Sequence, residues 1–251
     1  MSRRDRKRVS LDAAGFELLV PLARPTKLAT GPVGHRARLR ARFLSAGAGA
    51  LADHELIEMT LFLALPRRDT KPMAHALLAR FGSYAGVISA SVPELLEIEG
   101  LGEAGVAALK LVQAAAQRLT MADVMYRPVL NNWQKLMDYL QTVMARAKVE
   151  RFHVLYLDNR NRLLADVPQA VGTVNQTPVY PREVLKRALE LHATAIILVH
   201  NHPSGDPTPS EGDLVMTREI KKAGLSLSVA VHDHVIIGNG KQFSFRREGL
   251  L

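Results

Sequence analysis

Hydrophobic positions recur along the chain with two different periods, and the change falls near residue 150. Between residues 35 and 120 the spacing is helical. Leu39, Phe43 and Leu44 fall on one face of a first helix, and Asp53 is placed to cap a second that runs to about Leu65. Thr70, Lys71 and Pro72 open a third, with proline in the first turn and Gly82 just past the end. Ser91, Val92, Pro93 and Glu94 begin a short helix. After Gly100, Leu101 and Gly102, a longer one runs from Glu103 to about Leu119. Residues 120–131, which contain Pro128, read as a connection. Residues 132–148 form an amphipathic helix with Trp133, Leu136, Met137, Leu140, Val143 and Met144 along one side.

Beyond that helix the period shortens to two. Residues 152–157 and 162–167 read as strands joined by a turn at 158–161. Residues 181–192 are helical, and 193–199 are almost continuously apolar, as a central strand covered on both faces would be. A helix over 210–223 is stopped by Gly224, and residues 227–231 and 234–237 are strand-like. Gly238, Asn239 and Gly240 make a tight turn into 243–245. No internal repeat is evident. The pattern predicts a small all-α unit followed by an α/β unit.

Composition narrows the chemistry. The 251 residues include no cysteine, which excludes a disulfide framework, a thiolate zinc site, an iron–sulfur cluster and a cysteine nucleophile. Any metal ligands are histidine and carboxylate. No apolar run approaches the roughly 18–20 residues of a membrane span. Residues 1–10 are basic enough to begin a signal peptide, but Asp12 and Glu17 interrupt the apolar stretch that a signal peptide needs next, so a soluble, cytoplasmic protein is expected. Lysine and arginine exceed aspartate and glutamate by 33 to 24, a formal charge of +9. Residues 1–42 hold 11 basic and 3 acidic side chains, so the inference of an anionic partner belongs to the start of the chain.

The densest chemistry lies at 200–213, His-Asn-His-Pro-Ser-Gly-Asp-Pro-Thr-Pro-Ser-Glu-Gly-Asp. His200 and His202 follow a strand at i, i+2, so both imidazoles point the same way if the extended course persists. A loop of three prolines and a glycine can return Asp213 to them. Two histidines and one aspartate leave a fourth tetrahedral position for water, the open arrangement of a catalytic zinc. A plainer account is available, in which Ser210 caps a helix and Asp213 is its favourable first-turn carboxylate. His232 and His234 form a second His-x-His, read as supporting or packing residues.

The run His-x-His-Pro followed by Ser-x-x-Asp resembles the JAMM (MPN) metalloprotease signature. More narrowly, the chain resembles the bacterial RadC family of so-called DNA repair proteins, over about residues 35–251. Supporting matches are Leu157 to Asn159, Gly172 with Thr173, Pro181 to Val184, and Asp233 to Gly238. The resemblance implies a C-terminal MPN (JAB/JAMM, cytidine-deaminase-like) α/β domain behind a small all-α helix-hairpin-helix domain. It implies Zn2+ held by His200, His202 and Asp213, and a glutamate that moves the proton of the attacking water. Glu150, just before the first core strand, holds that position, with Glu183 as second candidate. Ser210 then donates to the oxyanion. Peptide or isopeptide bonds are the implied substrate class, with the peptide or protein substrate itself unnamed. A deaminase is disfavoured because its cysteine ligands are missing. The implied division is a basic, disordered tail at 1–30, a helical domain at 31–120, a linker at 121–131 and a zinc domain at 132–251.

Residues 99–110, Glu-Gly-Leu-Gly-Glu-Ala-Gly-Val-Ala-Ala-Leu-Lys, resemble a helix-hairpin-helix, in which glycines let the backbone approach a phosphate. Gly100, Gly102 and Lys110 are its candidate DNA contacts. Glu97, Glu99 and Glu103 point instead to a plain glycine turn. Arg36 and Arg40, with Arg38 and Arg42, form either a phosphate-contacting patch or a solvated helix face. DNA, met through the tail and helical domain, is the expected partner. A DNA-binding accessory protein with a structural or vestigial metal, and a metal-dependent nuclease, are the alternatives.

Overall fold

The computed structural model describes residues 34–172 and 179–251, so the tail expected at 1–30 lies outside the described residues. The helical half comprises α1 (His35–Ala46), α2 (Asp53–Ala64), α3 (Lys71–Phe81), α4 (Tyr84–Ser89), α5 (Val92–Leu96) and α6 (Gly102–Val124). Ile57, Leu61, Leu77, Val87, Leu95 and Leu109 share its core. Ser91 accepts from the Glu94 N–H while Glu94 answers to the Ser91 N–H, a capping box that starts α5. Gly82 ends α3 at φ 79°, a left-handed position that glycine takes without cost.

Three local readings change. Asp53 is the first helical residue of α2 rather than its cap, and its carboxylate accepts from the Tyr84 N–H at 2.7 Å, tying α2 to α4. Leu44 is 82% exposed while Leu39 is buried. Five positions along a helix turn about 140°, so the two cannot share a narrow stripe. Finally, α6 does not stop near Leu119; residues 121–124 of the expected linker are its last turn. Val124 and Val129 are both buried against the second half, and the Val129 N–H donates to the Asn161 carbonyl.

The second half is α7 (Trp133–Met144), β1 (Glu150–Leu157), β2 (Leu163–Gly172), α8 (Pro181–Glu190), β3 (Ala195–Asn201), α9 (Glu211–Ser226), β4 (Ala230–Ile237) and β5 (Gln242–Ser244). Its sheet has the order β2-β1-β3-β4-β5, with β3 and β4 parallel and the other pairs antiparallel. The molecule is thus mixed α/β, with helices first and a five-stranded sheet after them. Alternation sorts the strands between two cores. Leu155, Ile197, Val199 and Val235 pack under α7, whereas Phe152, Val154, Ile196 and Leu198 pack under α8 and α9. Helix α9 runs past Gly224, where the glycine serves close packing instead of ending the helix. A Cβ at that position would lie 2.5 Å from the Val229 carbonyl oxygen. Among the described residues no helix is long and apolar enough to cross a membrane.

Candidate metal centre

The end of β3 builds the site. Antiparallel register sets Phe152 opposite His200, and the His200 ring stacks on Phe152 at 5.9 Å on the α9 side of the sheet. The extended course does persist to His202, whose N–H donates to the Ile237 carbonyl at 3.0 Å. Both imidazoles therefore share a face. Asn201 points to the other one. Its amide donates to the Ala147 and Val149 carbonyls, and its oxygen accepts from the Arg151 N–H. Beyond His202, Gly205 turns the loop at φ 82°, and Gly238 leaves room for it, since a Cβ there would meet the Gly205 carbonyl oxygen at 2.3 Å. Ser210 then caps α9, with Asp213 as its reciprocal partner.

This path returns Asp213 to the histidines. His200 Nε2 lies 3.0 Å from His202 Nε2 and 3.2 Å from Asp213 Oδ1, and His202 Nε2 lies 3.7 Å from Asp213 Oδ2. These three residues form a candidate metal-ligand cluster, the one found among the described residues. A tetrahedral zinc with bonds of about 2.0–2.2 Å requires ligand–ligand edges of about 3.3 Å. The observed edges bracket that value, so the donor set fits the ion.

Hydrogen bonds fix which nitrogens face inward. The Thr217 hydroxyl donates to the Asp213 carbonyl at 2.5 Å, which spends its one proton. It must accept from His234 Nδ1, 2.6 Å away. His234 Nε2 then accepts from His200 Nδ1 at 2.8 Å. With Nδ1 the donor, neutral His200 carries its lone pair on Nε2, the atom that faces Asp213. His202 is set alike, because its Nδ1 lies 2.8 Å from the Asp206 carbonyl, which can only accept. Burial opposes charge on the fully enclosed His234 and holds its pKa well below 6.5, with the neighbouring His200 adding to the effect. The Asp213 hydrogen bond raises His202. Burial alone would raise the Asp213 carboxyl, but the adjoining His200 and His202 rings, with the Ser210 hydroxyl, overcome it and leave the carboxyl well below the usual range. The sequence pattern does not single out Thr217. The signal it offers is its place one helical turn beyond Asp213.

The remaining sequence candidates fall in different places. Glu150 begins β1 half-buried, two residues before Phe152, so the β1–β3 register carried outward sets it opposite His202. Its charge helps raise the His202 pKa. Glu183 is exposed on the first turn of α8 and pairs with Arg182. The Ser210 hydroxyl donates to Asp213 Oδ2 at 2.7 Å. His232 is apart from the site and bonds Asn161 Oδ1 at 2.7 Å.

In the helical half several of the candidate phosphate contacts are engaged internally. Gly100 and Gly102 both have positive φ, as a hairpin needs, but the Gly100 carbonyl accepts from Arg68 at 2.8 Å. Lys110 donates to the Ile88 carbonyl and to Gln113. Arg36 closes the end of α2 through the Leu65, Pro66 and Arg68 carbonyls and lies over the Phe62 ring. Arg42 pairs with Glu55, and Arg40 is exposed.

Comparison with known proteins agrees with this architecture. The family described as RadC-like JAB domain matches residues 130–250. A UPF0758 protein of Rhodobacter capsulatus is 57% identical over 213 residues, covering 85% of this chain and all of that protein. A second, from Ruegeria pomeroyi, is 53% identical over 217 residues, covering 86% of this chain and 97% of its own length. With its helical half, its five-stranded sheet and its histidine–aspartate cluster, the chain belongs to the RadC family.

Proposed function

We propose that the chain is a zinc-dependent hydrolase of the JAMM type that cleaves peptide or isopeptide bonds. The observation that carries this reading is the convergence of His200 Nε2, His202 Nε2 and the Asp213 carboxylate at tetrahedral spacing, with Glu150 across the strand pair from His202. His200, His202 and Asp213 would hold the ion, which when bound lowers the pKa of water to about 7 and polarises a carbonyl. Glu150 takes the proton of the attacking water and returns it to the leaving amine. Ser210 exchanges its bond to Asp213 for one to the developing oxyanion. The relay through Thr217 and His234 keeps His200 in the tautomer that this chemistry needs.

The test is metal analysis joined to turnover on a peptide library. Purified protein should contain about one zinc per chain, and His200→Ala should lose it. Glu150→Gln should keep the zinc and lose cleavage. A chelator should abolish turnover and added zinc should restore it. Unchanged cleavage by Glu150→Gln would refute the assignment. A second reading, DNA contact by the start of the chain, rests on the 11 basic residues among the first 42. It predicts binding that weakens with salt and survives removal of zinc.

A further inference from the structure

A cleft of about 830 Å³ separates α3–α6 from the connection between α7 and β1. Both halves of the chain give it positive charge: Arg80 and Lys110 from the helices, Arg146, Lys148 and Arg151 from the other wall. Glu94 is the carboxylate in its lining, and Lys148 and Ser91 already hold it. Arg80 is paired with Glu97. Among the described residues Arg146 and Arg151 have no carboxylate partner. Lys110 feels the crowding too, since partial burial and the nearby Arg151 lower its pKa against the opposing pull of Glu94. Cations that outnumber the carboxylates beside them favour an anionic occupant.

Neighbours in sequence and in space of the metal-centre residues also line the cleft. Val149 and Arg151 line it, and they flank Glu150. Asn239 lines it too, and lies beside Gly205 in the loop that follows His202. We propose that this cleft binds a peptide segment rich in aspartate and glutamate and presents the adjoining bond to the metal centre. The presentation step rests on the hydrolase reading above, whereas the binding step does not. A nucleic acid is the poorer match. The one aromatic ring in the lining, Phe81, carries the Arg80 guanidinium on its face, which leaves no platform for a base. Two unpaired arginines also fall short of the roughly 6–10 phosphate contacts of a duplex footprint.

Fluorescence anisotropy on the full chain without metal tests the binding step. The probes are labelled peptides of about ten residues, one built from Asp and Glu and one from Gly and Ser. The acidic peptide should bind, more weakly at high salt. Arg146→Gln combined with Arg151→Gln should weaken it about tenfold or more. Arg218→Gln, on the outer side of α9, should leave it unchanged. If the double variant melts early, the exposed Arg146→Glu alone should show the same weakening. Equal binding of the two peptides, wild-type affinity in both cleft variants, or tighter binding of a single-stranded oligonucleotide of equal charge would overturn the proposal. Because no turnover is measured, absence of zinc chemistry leaves the result standing. Failure of the peptide to bind leaves the hydrolase reading untouched.

Discussion

One hydroxyl decides how His200 presents itself. Thr217 has a single proton and gives it to a carbonyl, so each later member of the chain has one possible role. Thr217→Val keeps the shape and removes the chain's fixed end. Zinc affinity, measured by competition with a chelator, should fall about 10–100-fold, while Thr217→Ser should retain it. Wild-type affinity in the valine variant would show the relay to be without consequence. His202 supplies the pH dependence. Its pKa is raised above 6.5 by Asp213, and zinc needs the imidazole neutral. Zinc affinity should therefore drop as pH falls through that raised value. In metal-free protein the sign is opposite. The protonated His202–Asp213 pair contributes stability that is complete below 6.5 and is lost as pH rises through the raised value. The difference in Tm between zinc-loaded and metal-free protein should accordingly widen from pH 6 to pH 8, and a difference that is flat or narrows would contradict this account.

At the scale of elements, the site depends on two close approaches and one side chain that faces away from it. Asn201 alternates with the two histidines and binds the strand to the α7–β1 connection through two hydrogen bonds and to the start of β1 through a third. That connection leads directly into Glu150. Asn201→Ala leaves buried amide and carbonyl groups unpaired and should cost about 1–3 kcal/mol in urea unfolding. Gly238→Ala places a methyl against the Gly205 carbonyl, so the loop after His202 must move. It should cost about 1–3 kcal/mol and weaken zinc binding, whereas Asn201→Ala should affect zinc much less. Sequence pattern reveals much at this scale, for local reasons. Five apolar residues in a row, 195–199, make β3 legible, and His-x-His inside an extended segment implies a shared face. The glycines mislead. Gly224 reads as a stop, yet its missing side chain serves a contact with Val229 that no local pattern shows. The link between His234 and Thr217 joins two elements 17 residues apart, and only the packed fold brings them together.

For the whole molecule, the question is whether the halves are independent. Pro128 and a lapse in periodicity suggest a linker, but a proline acts only on the residues next to it, and nothing before Val124 breaks a helix. α6 consequently belongs to both cores: Val106 and Leu109 are buried in the first, Val124 in the second. The cleft between the halves is therefore walled by elements that one continuous helix holds in register, as a binding site shared between them requires. The family match begins at residue 130, which leaves that last turn out. A fragment starting at 130 should lose the cover that Val124, Val129, Met121 and Met125 give to α7 and the sheet. Extending it to start at 117 restores two buried valines and two partly buried methionines, a gain of about 4 kcal/mol. Urea unfolding of the two fragments measures this directly. Equal stabilities would mean that α6 merely lies against the second half, and the shared cleft would then lack the rigid support argued for it.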